Sequence, residues 1–309
     1  MKELIFFLKD HFINYSRKSF LVSLILFLGL NITIFYSFDI GPILLHISKN
    51  PFKYTGVYFL IYAYGYYTTL FWYGYIYKNP SVLSIKMLTT SFFLLVILAM
   101  DKAVPIHKHL SEIFISYPFV QYLSRVFSLL LLPLTLFLVI IILIWINNLN
   151  RKSLGLSIKA LNVRPFIYIF MTIIPVVAIA SFNQGFQEYY PLYKPTLASE
   201  ITSIPDYIFV GIYEFVYGLN LLSIEIIFRG ILVIGFIRFI GKGSVFPMIT
   251  FYCFIHFDKP VMECISSIFG GYLLGIIALY TRSIMGGSIL HIGMAWLMEL
   301  MAWIQQVID

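Results

Sequence analysis

Residues 223–230 read SIEIIFRG, placing a carboxylate, Glu225, four residues ahead of a guanidinium, Arg229, inside a stretch that is otherwise almost wholly apolar. An acid and a base at i and i+4 share one face of a helix, and the acid-first order is the favourable one. In apolar surroundings such a pair either neutralises itself or forms the polar half of a working site. Two histidines further along, His256 and His291, can hold a water, a proton or a metal ion. Glu225 lies 13 residues before Arg238, His256 lies 14 after Lys242, and His291 nine after Arg282. At the rise of a helix these separations correspond to depths of about 20, 21 and 13 Å from the basic helix ends. One acid and two imidazoles from three different helices are therefore expected to gather in one polar cavity.

That set suits hydrolysis of an amide. Glu225 would take a proton from water, Arg229 would position and tune it, and His256 and His291 would orient the water or stabilise the oxyanion. The same acid and two histidines are also ligand types for a zinc ion carrying hydroxide. The chain has no His-Glu-x-x-His helix, so the zinc form rests on residue types alone, and a site with no cofactor and a site with zinc both stay open. Glu263, seven residues after His256, is a candidate accessory carboxylate at the cavity rim. Glu214 reads as structural or vestibular, and Glu299 as a polar contact at the outer end of its helix.

The elements that must position these groups are read from composition. Of 309 residues, 60% are hydrophobic and only 11% charged, with a mean hydropathy of +0.90. Soluble domains carry about 25% charged residues, so the chain is expected to be an all-α, polytopic transmembrane helical bundle. Apolar runs at 19–38, 55–77, 83–100, 126–148, 165–182, 207–240, 243–257, 261–280 and 284–305 predict eight to nine spans. The run at 207–240 is too long for one upright helix. The one at 243–257 is too short to cross and stops at Pro260, which is tolerable only where it lines a protein cavity. Ser267, Gly271 and Gly275 form a small-residue face for close helix approach, as do Gly286, Gly287, Ser288 and Gly293 around His291.

The formal charge of +7 comes from basic residues spread over short loops. This pattern orients helices in a lipid bilayer with the N-terminus cytoplasmic and does not indicate a nucleic-acid partner. The first 20 residues contain no cleavage site ahead of the first apolar run, so they are expected to be retained. Residues 1–150 carry little readable chemistry. Their tyrosine-rich run 58–77 reads as interfacial and packing aromatics, and His11, His46, His107 and His109 as solvated. Cys253 and Cys264 read as buried apolar thiols, without a CxxC pair or a disulfide framework. No internal repeat is evident, which argues against a transporter.

The order EIIFRG, then FYCFIHFDKP, then GGSILHIGMAWLMEL resembles the CPBP family of intramembrane proteases, which includes CAAX prenyl endopeptidases and proteins of bacteriocin processing and immunity. The family pattern is Glu-Glu-x-x-x-Arg, then Phe-x-x-x-His, then His-x-x-x-Asn or Asp, and the likeness covers roughly residues 150–305. The resemblance implies N-terminal transmembrane helices over 1–150 and a CPBP-like protease domain over 151–309. It implies an endopeptidase acting on a membrane-anchored peptide or protein in a bacterial plasma membrane, with Glu225, Arg229, His256 and His291 at the site. Three positions depart from the pattern. Ile224 stands for the first glutamate, the usual water-activating base, Tyr252 for the phenylalanine, and Ala295 for the final Asn or Asp. The departures at Ile224 and Ala295 support the alternative of an inactive relative acting as a membrane scaffold, chaperone or immunity protein.

Overall fold

The computed structural model describes residues 2–103, 119–147, 154–156, 164–193, 202 and 204–308. Among the described residues all regular structure is helical. The chain opens with α1 (Lys2–Lys9), a π-helical turn (Asp10–Tyr15), α2 (Lys18–Ser37), α3 (Ile40–Ile47), α4 (Pro51–Tyr77) and α5 (Ile85–Ala103). It continues with α6 (Val120–Asn147), α7 (Arg164–Ala180), α8 (Gln184–Tyr189) and α9 (Asp206–Glu225), which runs into a second π-helical segment (Ile226–Gly235). The short α10 (Ile237–Ile240) is followed by α11 (Val245–Phe254), α12 (Val261–Thr281) and α13 (Met285–Ile308). His107, His109, most of the basic link 149–163 and part of the loop 183–206 lie outside the described residues.

Every apolar run read from the sequence contains helix, but fewer stretches than expected are apolar enough to cross a bilayer on their own. Five reach that standard among the described residues: Lys18–Ser37, Val120–Ile141, Asp206–Phe254, Val261–Thr281 and Met285–Val307. α7 is apolar but shorter. The nine tyrosines of α4 lower its hydropathy, and α5 carries Lys86, Asp101 and Lys102 at its ends. The long run from Asp206 breaks at Phe236 and again at Gly241, whose φ of +58° turns the chain into α11. The helix at 243–257 is as short as its sequence suggested.

Two compact units interleave along the chain. One comprises residues 1–104, 141–161 and 225–287, the other 105–140, 162–224 and 288–309. In the first unit α11 is the central element, and all ten of its residues are buried. It packs against α4 and α12. Phe251 sits among the rings of Tyr62, Tyr66 and Phe228, and Phe246 among those of Phe20, Tyr15 and Tyr73. Thr69 donates to Thr250 across the same interface at 3.0 Å. The small face of α12 is used as its sequence suggested. A Cβ on Gly271 would come 2.9 Å from the Tyr252 ring, and one on Gly275 would come 2.6 Å from Met248. Only glycine lets the two backbones approach this closely.

In the second unit α9 is held by α6 and α13. Tyr122 donates to the Phe209 carbonyl (3.0 Å), Asn220 to that of Leu129 (2.9 Å) and Trp296 to that of Glu214 (3.2 Å). Glu299 accepts the Leu192 backbone N–H at 2.9 Å, a polar contact of the kind expected for it. Tyr193, Tyr213, Tyr217, Leu221 and Ala295 form the apolar core between these elements.

His46 is exposed, but His11 is fully buried and not solvated, contrary to the reading from sequence. Its Nε2 faces the Lys242 carbonyl at 3.1 Å and its Nδ1 the Tyr272 hydroxyl at 3.0 Å. A carbonyl only accepts, so Nε2 carries the proton and Nδ1 accepts from tyrosine, which describes a neutral ring. The neighbouring Asp10 accepts from Lys242 and Tyr280, so the N-terminal segment is tied to α12 by both residues. Burial pushes the His11 pKa down to about 4, while the Lys242 ammonium and the Tyr280 hydroxyl hold Asp10 below the usual carboxylate range. The unfolded chain protonates His11 near pH 6.5. Its contribution is thus complete above pH 6.5 and is lost as pH falls toward 4, by on the order of 3 kcal/mol. Asp10 adds a further loss only below the ordinary carboxylate range. Thermal unfolding in detergent micelles across this window is expected to show the slope in the wild type and most of it removed in His11→Gln. Equal slopes in the two proteins would contradict the assignment.

Candidate functional site

Glu225 is the last residue of α9, and the helix widens to a π-helix at the next position. Such wide turns are uncommon and frequently mark functional sites. From Ile227 to Gly235 every residue of the π segment is buried. Glu225 and Arg229 are both 0% exposed, and Arg229 Nη1 donates to Glu225 Oε1 at 2.9 Å. The i,i+4 pairing read from the sequence is therefore formed, with both charges withdrawn from solvent.

Tyr252 of α11 closes the other side of the guanidinium. The Arg229 Cζ lies 4.2 Å from the centre of the Tyr252 ring, a cation–π contact inside a buried environment. Phe228 packs edge-on against the same ring, and Gly271 leaves room for it. Arg229 Nε and Nη2 make no hydrogen bond among the described residues. Gly287, at the start of α13, stands beside the carboxylate, where an added Cβ would lie 3.4 Å from Glu225 Oε2.

His256 follows Tyr252 by one turn. Its ring centroid is 4.7 Å from that of Tyr252, and its Nδ1 lies 2.6 Å from the Tyr252 carbonyl oxygen. The carbonyl accepts, so Nδ1 donates, and in the neutral ring Nε2 is the basic nitrogen. Glu225, Arg229, Tyr252 and His256 therefore form one continuous string of contacts within the first compact unit.

The turn that carries His256 is pinned by residues the sequence reading did not single out as site-building. Tyr36 of α2 donates to the Lys259 carbonyl at 2.7 Å. Tyr58 of α4 donates to Asp258, and Lys102 of α5 pairs with the same carboxylate at 3.0 Å. Three N-terminal helices thereby fix the turn holding the histidine. The one signal that pointed to this was Asp258, an acid in a short loop among apolar runs. Glu263 is engaged by Lys259 one turn away, as part of this same turn-and-helix junction.

His291 lies in the second unit, on α13, and is 8% exposed. Ala295, one turn further, is buried in the core with Tyr213 and Tyr217. Among the described residues no group of three or more His, Cys, Asp or Glu side chains is placed to hold a metal ion. No family model, curated protein or solved structure matches the chain.

Removing one member of a buried ion pair strands the other charge, at a cost of about 3–5 kcal/mol. Arg229→Met is expected to destabilise the protein by that amount. The double variant Glu225→Gln/Arg229→Met is expected to recover most of the loss, because neither charge is then stranded. Reversible unfolding in mixed micelles measures both, and additive losses would show that the two groups do not act as a pair.

Proposed function

We propose that the protein is a CPBP-like intramembrane peptidase that hydrolyses a membrane-associated peptide or protein. The observation that carries this reading is the continuous string Glu225–Arg229–Tyr252–His256, which sets a carboxylate, a cation and an imidazole in one buried region. In this reading Glu225 activates water, and Arg229 holds the carboxylate in place while its Nε and Nη2 edge supplies donors for a developing oxyanion. His256, with Nδ1 committed to the Tyr252 carbonyl, works through Nε2 to orient the water or to protonate the leaving amine. His291 enters from the order of motifs in the sequence. The metal-free form is preferred. The tyrosine-rich α4 and the neighbouring α5 complete a bundle of eight to nine spans in a bacterial plasma membrane, with the N-terminus cytoplasmic.

A second reading is favoured by Ala295. Where the resembling family carries Asn or Asp, this chain fills its core with a methyl group, and Ile224 cannot ionise. An inactive relative serving as a membrane scaffold, chaperone or immunity protein would keep the architecture without the reaction.

Comparing protein termini in membranes carrying wild-type protein, Glu225→Gln or His256→Ala separates the two readings. Catalysis predicts cleavage products of membrane proteins that fall by about 100-fold or more in both variants. Identical termini in all three, with each variant folded, would reject hydrolysis and leave the scaffold.

A further inference from the structure

Cys253 ends one side of the His256 turn, in the last turn of α11, and Cys264 begins the other, in the first turn of α12. They are the chain's two cysteines, and both are fully buried. Their sulfurs lie 3.8 Å apart. The approach is reciprocal: Cys264 Sγ is 3.8 Å from the Cys253 carbonyl oxygen, and Cys253 Sγ is 4.0 Å from that of Cys264. Two thiols 11 positions apart in the chain are thus pressed together across a helix–turn–helix junction. Bringing the sulfurs to bonding distance requires a closing movement of about 1.8 Å.

We propose that Cys253 and Cys264 form a reversible dithiol–disulfide couple that staples α11 to α12 across the His256 turn. A small, uncharged hydroperoxide is the class of oxidant suited to a buried pair in an apolar setting. With hydrogen peroxide, one cysteine gives up its proton as its sulfur attacks a peroxide oxygen, the O–O bond breaks, and the departing hydroxide takes up that proton, leaving a sulfenic acid and one water. The second thiol then attacks that sulfur, displacing a second water as the S–S bond forms. With hydrogen peroxide, two thiols and one peroxide give one disulfide and two waters. The two electrons pass from the sulfurs to the peroxide oxygens. A dithiol reductant reverses the change by exchange.

The staple closes a short loop around the turn that Tyr36, Tyr58 and Lys102 already pin. Oxidation therefore restrains the backbone carrying His256 and stabilises the first compact unit. It uses neither Glu225 nor Arg229 and holds whether or not the protein is a peptidase.

The test treats the purified full chain in micelles with graded hydrogen peroxide. The sample is then quenched, denatured, reacted with N-ethylmaleimide and weighed intact. The couple predicts a product lighter by about 2 Da that takes up no maleimide, and dithiothreitol restores two additions. The oxidised form is also expected to unfold at a temperature several degrees higher. Cys264→Ser and Cys253→Ser cannot form the bond and are expected to gain oxygen on the remaining sulfur, with no rise in unfolding temperature. Two maleimide additions persisting at doses that oxidise the protein's methionines, oxygen added separately to the two cysteines, or disulfide-linked dimers would overturn the proposal.

Discussion

The candidate site depends on one constraint: two opposite charges, Glu225 and Arg229, are held where water does not reach. Stranding either in an apolar interior costs several kcal/mol, and their mutual attraction offsets this only with good geometry and further polar contacts. The structure supplies the geometry through i,i+4 spacing and a 2.9 Å hydrogen bond. The face of Tyr252 provides the further contact with the guanidinium. The π-helical widening begins immediately after Glu225, so the pair sits where the backbone departs from a regular helix.

The surrounding packing follows from that pair. Tyr252 can lie over Arg229 because Gly271 gives its ring room. The hydrogen bond from His256 to the Tyr252 carbonyl fixes the imidazole relative to the same residue. Asp258, two residues further, is tied to α4 and α5 through Tyr58 and Lys102. The aromatic helices of the first hundred residues therefore act as the frame that keeps the His256 turn in place. Tyr36 and Tyr58 suit this work, because their rings pack within the helices while their hydroxyls reach the Lys259 carbonyl and Asp258.

Much of this was legible in the sequence for physical reasons. Glu225 and Arg229 stand out as ionisable residues in an apolar run, and their spacing dictates a shared helical face. The glycines of α12 have a four-residue repeat that announces a close interface, and the stop at Pro260 marks the short α11. Long-range partnerships carry no such local signature. Nothing periodic connects Tyr58 or Lys102 to Asp258, about 150 to 200 positions away. His11 reads as an ordinary residue near a helix end, yet the fold places it against Lys242 and Tyr272. Tyrosine-rich and end-charged helices such as α4 and α5 read as continuous apolar runs, yet they are less apolar in sum than the five long helices. The separation of 11 between the cysteines fits neither a familiar redox motif nor a helical repeat, and only the turn between α11 and α12 brings them together.

The most direct test of the central claim is the charge state of Glu225 itself. Infrared difference spectroscopy of the protein in lipid bilayers, wild type against Glu225→Gln at neutral pH, reads the vibration lost with that side chain. A charged pair predicts loss of an ionised carboxylate stretch, and the band should also shift in Arg229→Lys, where the guanidinium partner changes. Loss of a protonated carboxyl band instead would mean that the acid is neutral, and that the string from Glu225 to His256 does not begin with an ion pair.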